Sequence, residues 1–513
     1  MKTSKMGGLR TRLDRARTAL EEARWDAALN ELFECEDWPP EIAEYAVLVK
    51  AEALMRRDAA VALSWLVATD DVVATDAGRF ERELITGRAL TNARNFAGAA
   101  QHFERAGALL ASAPHGAPKL AYHRARLRWM RREVRPDDAD FTLALTDPDP
   151  TGRASAYAVR SWAHASAGEY RLQIADLTSA IQVAAAVDFR CDVAALGIIV
   201  HTLARAAFEI ADAPGCAVAQ AAFDRIRWTD DVRVDKFQTL RALGLEAFMR
   251  GEVARAQWLF RDASGTAPTP AFEVLAHLDR AYVARIMRNE PWALDELYEA
   301  VRIARGVHWG QTVGEERLAL VVLAMQLAPT NAAEAQRFAA MYSMLGVESV
   351  SPVLALTNEP RAVATEKYAL GCIERTLGNV DAARAALQEA YDFFDPIDYH
   401  YRAMLVASSL AELTGDASWS ERAKRHLAHY PGNPLLAAKI DDATKSDAVF
   451  DGLTPLQRQL ARAHWSGADA QELSARFSRS VFTVQRHIAE IYRAFGVDSA
   501  ASLRAEAIRR GIA

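Results

Sequence analysis

The sequence predicts an all-α protein, in which an α-solenoid of about ten helical hairpins precedes a group of four short helices. Three observations support this prediction. Residues 9–440 are rich in Ala, Leu, Arg and Glu and have few of the alternating β-branched runs that strands require. A short phrase recurs along this region at the spacing of helical hairpins. Residues 453–513 then contain short amphipathic segments, each preceded by a residue that commonly caps a helix.

The recurring phrase consists of a polar or glycine turn, a bulky residue, and then small residues on one helix face. Residues 24–28, 94–99 and 251–256 are examples, and a further turn is predicted at Gly215. Most neighbouring turns are roughly 35 to 45 residues apart, about the length of one hairpin. We expect glycine to end the first helix in a left-handed conformation and alanines to let the paired backbones approach closely.

The phrase resembles a tetratricopeptide repeat most clearly in residues 242–260 and 368–390. If the resemblance holds throughout residues 1–440, it implies stacked hairpins that bend into a superhelix with a concave groove. Such a groove suits a sensor or interaction domain. The expected occupant is a protein, a peptide or a small-molecule effector.

Composition excludes several other classes of protein. The longest apolar runs, residues 193–200 and 318–325, have only eight residues and are too short to cross a bilayer. Residues 1–5 are basic, but no apolar run follows them, so a secretory signal is not expected. We therefore predict a cytoplasmic protein with no membrane partner.

No chemistry is recognisable in the chain. The four cysteines are far apart and form no C-x-x-C pair, so we expect them to be buried apolar residues; they are Cys35, Cys191, Cys216 and Cys372. The chain has no phosphate-binding loop, no dinucleotide fingerprint and no nucleophile elbow. The sequence predicts no catalytic residue, no metal site, no cofactor and no enzyme activity.

One basic segment of the body permits two interpretations. Residues 123–135 contain six arginines. They are either a patch for an anionic ligand or a solvated helix face whose arginines pair with acids of neighbouring repeats. The second interpretation is the more common outcome for such a segment.

The chain changes character at its end. Residues 441–451 are polar and are interpreted as a linker, and residues 452–513 form the predicted second domain. This domain has nine arginines and five acids, a formal charge of +4, whereas the remainder has 52 basic and 62 acidic residues, a charge of −10. A basic domain on an acidic body suits a domain that meets phosphate.

Four caps define the helices of residues 452–513. Thr454 is expected to cap the first helix, with Gln457 completing a capping box, and Asp469 with Glu472 repeats this pattern for the second helix. The third and fourth helices are expected to begin after Ser480 and Ser499, respectively. Two arginines of the first two helices, Arg462 and Arg476, are expected to be solvated.

The third helix has two distinct faces. Its apolar residues recur at helical spacing and should face a small core; they are Val484, Ile488, Ile491 and Phe495. The opposite face offers amide, guanidinium and small side chains, namely Phe482, Gln485, Arg486, Ala489 and Arg493. Such a helix can enter a major groove and donate hydrogen bonds to base edges and phosphates.

The whole of this domain resembles the LuxR/FixJ-type helix-turn-helix domain. The matching residues stand at the family's spacings without a gap, and they are Leu453, Thr454, Gly467, Glu472, Leu473, Ser480, Thr483, Val484, His487, Ile491, Tyr492, Arg493, Gly496 and Val497. The resemblance implies a bacterial transcription regulator that binds double-stranded DNA, usually as a homodimer.

The resemblance also implies roles for individual residues. Gln485, Arg486 and Ala489 stand where the family reads bases. Four residues are expected phosphate contacts, namely Arg479, Ser480, Thr483 and Arg493. The family's fourth helix often forms the dimer contact, which here would involve Ser499, Leu503 and Ala507.

The chain departs from the family at three positions. The family commonly has Arg-Glu where this chain has Leu456 and Gln457, and it has lysine where this chain has Gln485. These departures leave the operator sequence open and weaken the expected attraction to phosphate.

Two functions are therefore carried forward. The first is a sequence-specific DNA-binding transcription regulator in which the repeat array senses an effector or partner and controls the C-terminal helices. The alternative is a helical-repeat interaction scaffold whose C-terminal helices make protein contacts. The modest charge of +4 and the missing lysine at Gln485 support the alternative.

Overall fold

The structure is a computed structural model that describes residues 2–33, 38–309, 314–345, 360–377, 379–430, 433–448, 453–465, 467–477 and 479–509. Within these ranges the chain forms 27 α-helices and three short 3-10 helices, and it forms no β-strand. The predicted all-α class is confirmed. None of the helices in these ranges has both the length and the apolar content needed to cross a membrane.

The helices follow one another with short connections. In the first half of the chain they are α1 (Lys2–Glu21), α2 (Trp25–Phe33), α3 (Pro40–Arg57), α4 (Ala59–Ala68), α5 (Asp76–Asn92), α6 (Phe96–Ala108), α7 (Ala117–Met130), α8 (Ala139–Ala144), α9 (Pro150–Ser166), α10 (Tyr170–Ala185), α11 (Val193–Glu209) and α12 (Ala213–Phe223). In the second half they are α13 (Arg233–Met249), α14 (Val253–Thr266), α15 (Pro270–Ile286), α16 (Glu290–Ala304), α17 (Gly314–Leu327), α18 (Ala332–Met344), α19 (Pro360–Leu377), α20 (Val380–Phe394), α21 (His400–Thr414), α22 (Ala417–Leu427), α23 (Pro434–Ala448), α24 (Pro455–Trp465), α25 (Ala470–Phe477), α26 (Val481–Phe495) and α27 (Ala500–Arg509).

The chain folds as two compact units. Unit 1 comprises residues 1–207 and 213–239, and unit 2 comprises residues 208–212 and 240–513. In unit 1, consecutive helices from α1 to α10 pack in pairs, and the first helices α3, α5, α7 and α9 lie side by side. In unit 2, the helices from α15 to α22 pair in the same way, with α15, α17, α19 and α21 side by side.

Close approach within several pairs depends on a glycine. Three pairs share a contact between a glycine of the first helix and a large side chain sixteen residues later, and these are Gly87 with Phe103, Gly244 with Phe260, and Gly371 with Leu387. A Cβ atom at Gly244 would lie 2.7 Å from Cε1 of Phe260, which is fully buried. Such crowding forces neighbouring groups to move in a close-packed interior.

Glycine ends only some of the first helices. Gly168, Gly251 and Gly415 have the predicted left-handed conformation, with φ of 80°, 80° and 72°. Elsewhere the prediction is wrong, because a non-glycine residue takes this conformation at Ala23, Arg94, Arg132, Ala211 and Arg288. A single such residue costs about 1 kcal/mol, which packing of the paired helices can outweigh.

One predicted turn is misplaced, and the first residues of the predicted linker are helical. The turn expected at Gly215 is at Ala211 instead, and Gly215 is buried inside α12. The polar segment 441–448, interpreted as a linker, is the helical end of α23. Its polarity predicted little burial, but helix formation requires only local hydrogen bonds once α23 has begun.

The prediction that the cysteines are buried is confirmed for three of the four. Cys191, Cys216 and Cys372 are buried free thiols. Cys35 lies outside the described residues.

A buried histidine of α7 is set among cationic neighbours. His123 is 5% exposed, stacks on Phe103 at 5.9 Å between ring centroids and meets the edge of Tyr122 at 4.7 Å. Burial lowers the pKa of His123 well below its ordinary 6.5, and nearby arginines and a lysine lower it further. The imidazole is therefore neutral in the folded protein at pH values where the unfolded chain binds a proton.

We predict that Gly244→Ala lowers the free energy of unfolding by about 1 to 3 kcal/mol, because the new methyl group overlaps the Phe260 ring. Urea denaturation followed by circular dichroism measures the change. Gly265→Ala is the matched control, since Gly265 also lies in a helix but has no atom within 4 Å of the added Cβ. Equal stability of the two variants would contradict the packing argument.

We predict that acid destabilises the protein partly through His123. Because the folded pKa is depressed, stability begins to fall as the pH drops below 6.5, and it falls further until the folded pKa is reached. His123→Phe keeps an aromatic ring and removes the proton site. Between pH 7.5 and 5.5 the thermal midpoint of this variant should fall less than that of the wild type. An equal fall in both proteins would show that His123 does not contribute to the acid destabilisation.

Candidate nucleic-acid interface

The last four helices share one small core. Helix α24 packs on α26 and α27, and α25 packs on α26. The buried residues of this core are Leu453, Leu460, Ala461, Ala463, Leu473, Phe477, Val484, Ile491, Phe495 and Leu503. The apolar stripe predicted for the third helix therefore faces inward, with Val484 and Ile491 fully buried.

Reciprocal capping boxes start the first two of these helices, as predicted. The Thr454 N–H donates to Oε1 of Gln457 at 2.8 Å, and the Gln457 N–H donates to Oγ1 of Thr454 at 3.3 Å. Asp469 and Glu472 exchange equivalent bonds of 3.0 and 2.9 Å. These bonds satisfy N–H groups that the helices themselves leave without acceptors.

Helix α26 is defined at both ends. Its Ser480 cap accepts a hydrogen bond from the Thr483 N–H at 3.1 Å, and Gly496 ends it in the left-handed conformation with φ of 67°. The turn before it is held by Ser474, whose hydroxyl donates to the Arg479 carbonyl at 2.6 Å. The direction in which α26 leaves α25 is therefore fixed by local hydrogen bonds.

The outer face of α26 is open to solvent. The predicted base contacts are exposed: Gln485 and Arg486 are adjacent, and Ala489 lies one helical turn later. Arg493 is exposed one turn beyond Ala489. Within the described part of the chain, no acid forms an ion pair with Arg486 or Arg493, so their N–H groups can donate to another molecule. Phe482 is 78% exposed at the start of this face.

The predicted phosphate contacts differ in their surroundings. Ser480 is exposed, while Thr483 is partly buried and its hydroxyl lies 2.8 Å from the Ser480 hydroxyl. Both belong to the first turn of α26, where free N–H groups and the helix dipole favour anions. Arg493 stands at the opposite end of the same helix.

A polar network that the sequence did not suggest ties α24 to α26. The buried amide of Gln457 donates to Glu490, and Nδ1 of His487 lies 3.2 Å from the same carboxylate. The hydrogen bond from His487 is the largest cause that lowers the pKa of Glu490. His487 therefore helps to position α26 from the edge of its apolar stripe.

A second bond across the core joins α24 to the end of α26. Nε2 of His464 lies 2.6 Å from the Tyr492 hydroxyl, and its Nδ1 lies 2.8 Å from the Ala468 carbonyl. The two ring nitrogens thus connect α24, the loop after it and α26. Tyr492 belongs to the family pattern, but its spacing to His464 is too long for sequence periodicity to reveal the contact.

Two of the three residues expected at a dimer contact have described side chains. Leu503 is fully buried in the core, because α27 uses it to pack on α24. Ser499 caps α27 by accepting from the Ser502 N–H at 3.2 Å. The side chain of Ala507 lies outside the described residues.

The last four helices also dock on other helices of unit 2, at the end of α19. The last carbonyl groups of a helix have no partner within it. The Arg479 guanidinium donates to the Leu377 carbonyl at 2.9 Å, and the Gln459 amide donates to the Arg375 carbonyl at 3.2 Å. Arg479, predicted to hold phosphate, therefore caps α19 in this conformation, where a cation also meets the negative end of the helix dipole.

Helix α25 makes the neighbouring contact with α18. Arg476 is expected from the sequence to be solvated, but its side chain is half-buried and its Nε atom is buried. Burial lowers the pKa of Arg476, Glu290 opposes that shift and Arg285 reinforces it. The side chain of Arg462 lies outside the described residues. An open cleft runs along the contact, lined by Thr330, Asn331, Ala468, Glu472, Ala475 and Arg476.

Comparison with known proteins yields no relative. No model of a protein family matches the chain, and no curated protein matches it. Among the described residues, no group of three or more His, Cys, Asp or Glu side chains could hold a metal ion. A proposal of function therefore depends on the geometry of α24–α27 and on the residues quoted for the resemblance.

We predict that Arg479→Ala weakens docking of the last four helices by about 1.5 to 3 kcal/mol, the value of a hydrogen bond from a charged donor. Hydrogen exchange of the amides in residues 470–477 and 372–377 should become faster in the variant, because local opening costs less. Arg504→Ala removes an equal charge from exposed α27 and should leave both segments unchanged. Unchanged exchange in Arg479→Ala would show that the carbonyl contact does not hold the helices.

Proposed function

We propose that the protein is a sequence-specific DNA-binding transcription regulator in which α25 and α26 act as a helix-turn-helix. One observation carries the proposal. The exposed face of α26 places Gln485, Arg486 and Ala489 together over a capped and internally bonded core. The resemblance to the LuxR/FixJ-type domain supports the same assignment.

Each exposed residue suits a particular contact in the major groove. A guanidinium can donate two hydrogen bonds to guanine, an amide can pair with adenine, and a small apolar side chain can contact the thymine methyl group. Arg486, Gln485 and Ala489 offer these groups in turn. Ser480, Thr483 and Arg493 flank them and would hold the phosphates that set the register of α26.

The repeats would control how this helix is presented. In the docked conformation Arg479 donates to the Leu377 carbonyl, so it does not contribute to phosphate binding there. Release from α19 would return its charge to the DNA-facing side. An effector or partner that changes the repeats of unit 2 near α18 and α19 would therefore change the affinity for DNA.

The proposal includes a homodimer and a cytoplasmic setting, as the resemblance implies for bacterial regulators. A single helix of this length contacts few base pairs, and paired half-sites supply the remaining specificity. Because Leu503 is buried, a dimer contact would have to use other surfaces of the chain. The occupant of the repeats would be a protein, a peptide or a small molecule.

One observation favours the alternative of an interaction scaffold. Phe482, the first outward residue of α26, is 78% exposed. An exposed aromatic side chain on the same face as Arg486 also suits a protein surface. The two functions differ in their dependence on salt.

We predict that the full chain selects a specific sequence from a random double-stranded DNA library and that its affinity falls steeply as salt rises. Neutralised phosphates release counterions, so log K should decline linearly with log salt concentration, by about 0.9 for each phosphate contact. Fluorescence anisotropy between 50 and 300 mM KCl measures the slope. Absence of any salt-dependent binding would favour the scaffold.

We predict different losses for two arginines of α26. Arg486→Ala should cost about 1 to 3 kcal/mol on the selected site and relax preference at one base pair. Arg493→Ala should weaken binding to all sequences alike and reduce the salt slope by about one contact. Selection from the DNA library, repeated with each variant, separates the two effects. An unchanged sequence preference in Arg486→Ala would show that another residue reads the base.

A further inference from the structure

Three neighbouring helices of unit 1 share a charged face. Helices α3, α5 and α7 lie side by side, and each carries polar side chains at helical spacing. These residues are Glu52 and Arg56 on α3, Arg88 and Asn92 on α5, and Lys119 and Arg126 on α7. Four of the six are cations.

Three of these cations have a carboxylate partner. The pairs are Arg56 with Asp192 at 2.5 Å, Arg88 with Glu52 at 3.0 Å, and Lys119 with Glu81 at 2.6 Å. Burial would raise the pKa of Glu52, but Arg88, Arg56 and Lys119 together lower it to about 2. Glu52 is therefore an anion shared by several cations.

Arg126 differs from the other cations of this face. Its guanidinium donates to Oδ1 of Asn92 at 3.2 Å, and among the described residues no carboxylate lies within ion-pair distance of it. Burial lowers the pKa of Arg126, and the like charges of Arg88 and Arg56 lower it further. A partly buried guanidinium beside two cations and one neutral amide is a poor arrangement for stability alone.

The lack of a carboxylate partner is not shared by all arginines of residues 123–135. Arg124 pairs with Glu104 at 3.5 Å, and Arg128 pairs with Asp138 at 2.7 Å. These two arginines pair with acids, as the second interpretation expects, but their side chains are half-buried and not solvated. Arg126 differs, because it lies near Asn92, Arg88 and Arg56 of α3 and α5 and has no carboxylate partner among the described residues.

A second buried group in the same place lacks a partner. Nδ1 of His123 has no hydrogen-bond partner among the described residues, although His123 is only 5% exposed. Its charged neighbours are Arg88, Lys119, Arg126 and Arg56. A nitrogen that neither donates nor accepts beside four cations is a polar group that an additional ligand or a water molecule could satisfy.

Part of the charged face lies against the start of α11. The Arg56–Asp192 pair joins residues 136 positions apart, so α3 and the start of α11 approach each other across it. The exposed fraction of the side chain is 27% for Arg56, 14% for Arg88 and 14% for Asp192. Asn92 is exposed and Arg126 is half-buried, so a ligand held by these two residues would be reachable from solvent.

We propose that unit 1 binds a small oxyanion, a carboxylate- or phosphate-bearing molecule, at Arg126 and Asn92. The planar guanidinium can donate two parallel hydrogen bonds to a carboxylate or phosphate group. Asn92 can donate from its amide nitrogen while its oxygen accepts from Arg126. The bound anion also screens Arg126 from Arg56 and Arg88, so binding relieves repulsion that is present in the free protein.

The inference does not depend on DNA binding, because the site lies in unit 1 and its test contains no DNA. If the proposed function is correct, this site is a place at which an acidic metabolite could act as the effector. If the C-terminal helices bind no DNA, the oxyanion site is unaffected. The two proposals therefore fail separately.

The test measures the thermal midpoint of the full chain during titration with sodium phosphate or disodium succinate, at an ionic strength held constant with sodium chloride. A ligand that binds only the folded state raises the midpoint as its concentration exceeds Kd. We expect a rise with at least one probe in the wild type. Phosphate alone would indicate phosphate-bearing ligands, and succinate alone would indicate carboxylates.

Two variants remove the site in different ways. Arg126→Gln deletes the donor, and Asn92→Asp supplies Arg126 with a carboxylate from within the chain, which should also stabilise the free protein. Both should weaken oxyanion binding at least ten-fold. Arg124→Gln, the same substitution two positions earlier in α7, should retain the response.

Two outcomes would overturn the proposal. One is an equal rise in the wild type and in a folded Arg126→Gln or Asn92→Asp variant, which would place the anion elsewhere. The other is no rise in the wild type with either probe, which would leave Arg126 with a structural role only.

Discussion

The structure depends on the need of each helix to bury one apolar stripe that a single hairpin cannot cover. In unit 1 and in unit 2, small residues in the first helices let large side chains of the second helices pack against backbone, as Phe260 does on Gly244. Each pair then covers its remaining stripe with the next pair. This close packing outweighs the cost of left-handed turns at residues such as Arg94 and Ala211.

The last four helices follow the same rule on a smaller scale, and this determines what α26 can offer. Its inner face is committed to the core, so its outer face must remain polar and exposed. Gln457 and His464 reach it from α24, which fixes the helix in rotation as well as in position. The proposed reading of DNA requires this, because a base contact depends on where each side chain leaves the helix.

Polar groups without a matching partner in their own helix underlie two proposals, the control of α26 by the helices of unit 2 and the oxyanion site of unit 1. The end of α19 presents carbonyl groups without intrahelical partners, and Arg479 and Gln459 supply donors to them. On α7, Arg126 has a neutral amide as its partner and cations as its neighbours. The first case couples the C-terminal helices to α19 by a bond within unit 2. The second offers an oxyanion a place in unit 1 that no side chain of the described chain fills.

The sequence by itself determined the helical class, the four caps before α24–α27 and the two faces of α26, because each depends on residues within about four positions of one another. Tertiary structure decided the rest. Arg479 meets Leu377 from 102 positions away, Gln457 meets Glu490 from 33, and Arg56 meets Asp192 from 136. The burial of Leu503 likewise depends on how α27 packs. No periodicity encodes such pairs, so only the folded chain shows which charges are matched and which are left for a ligand.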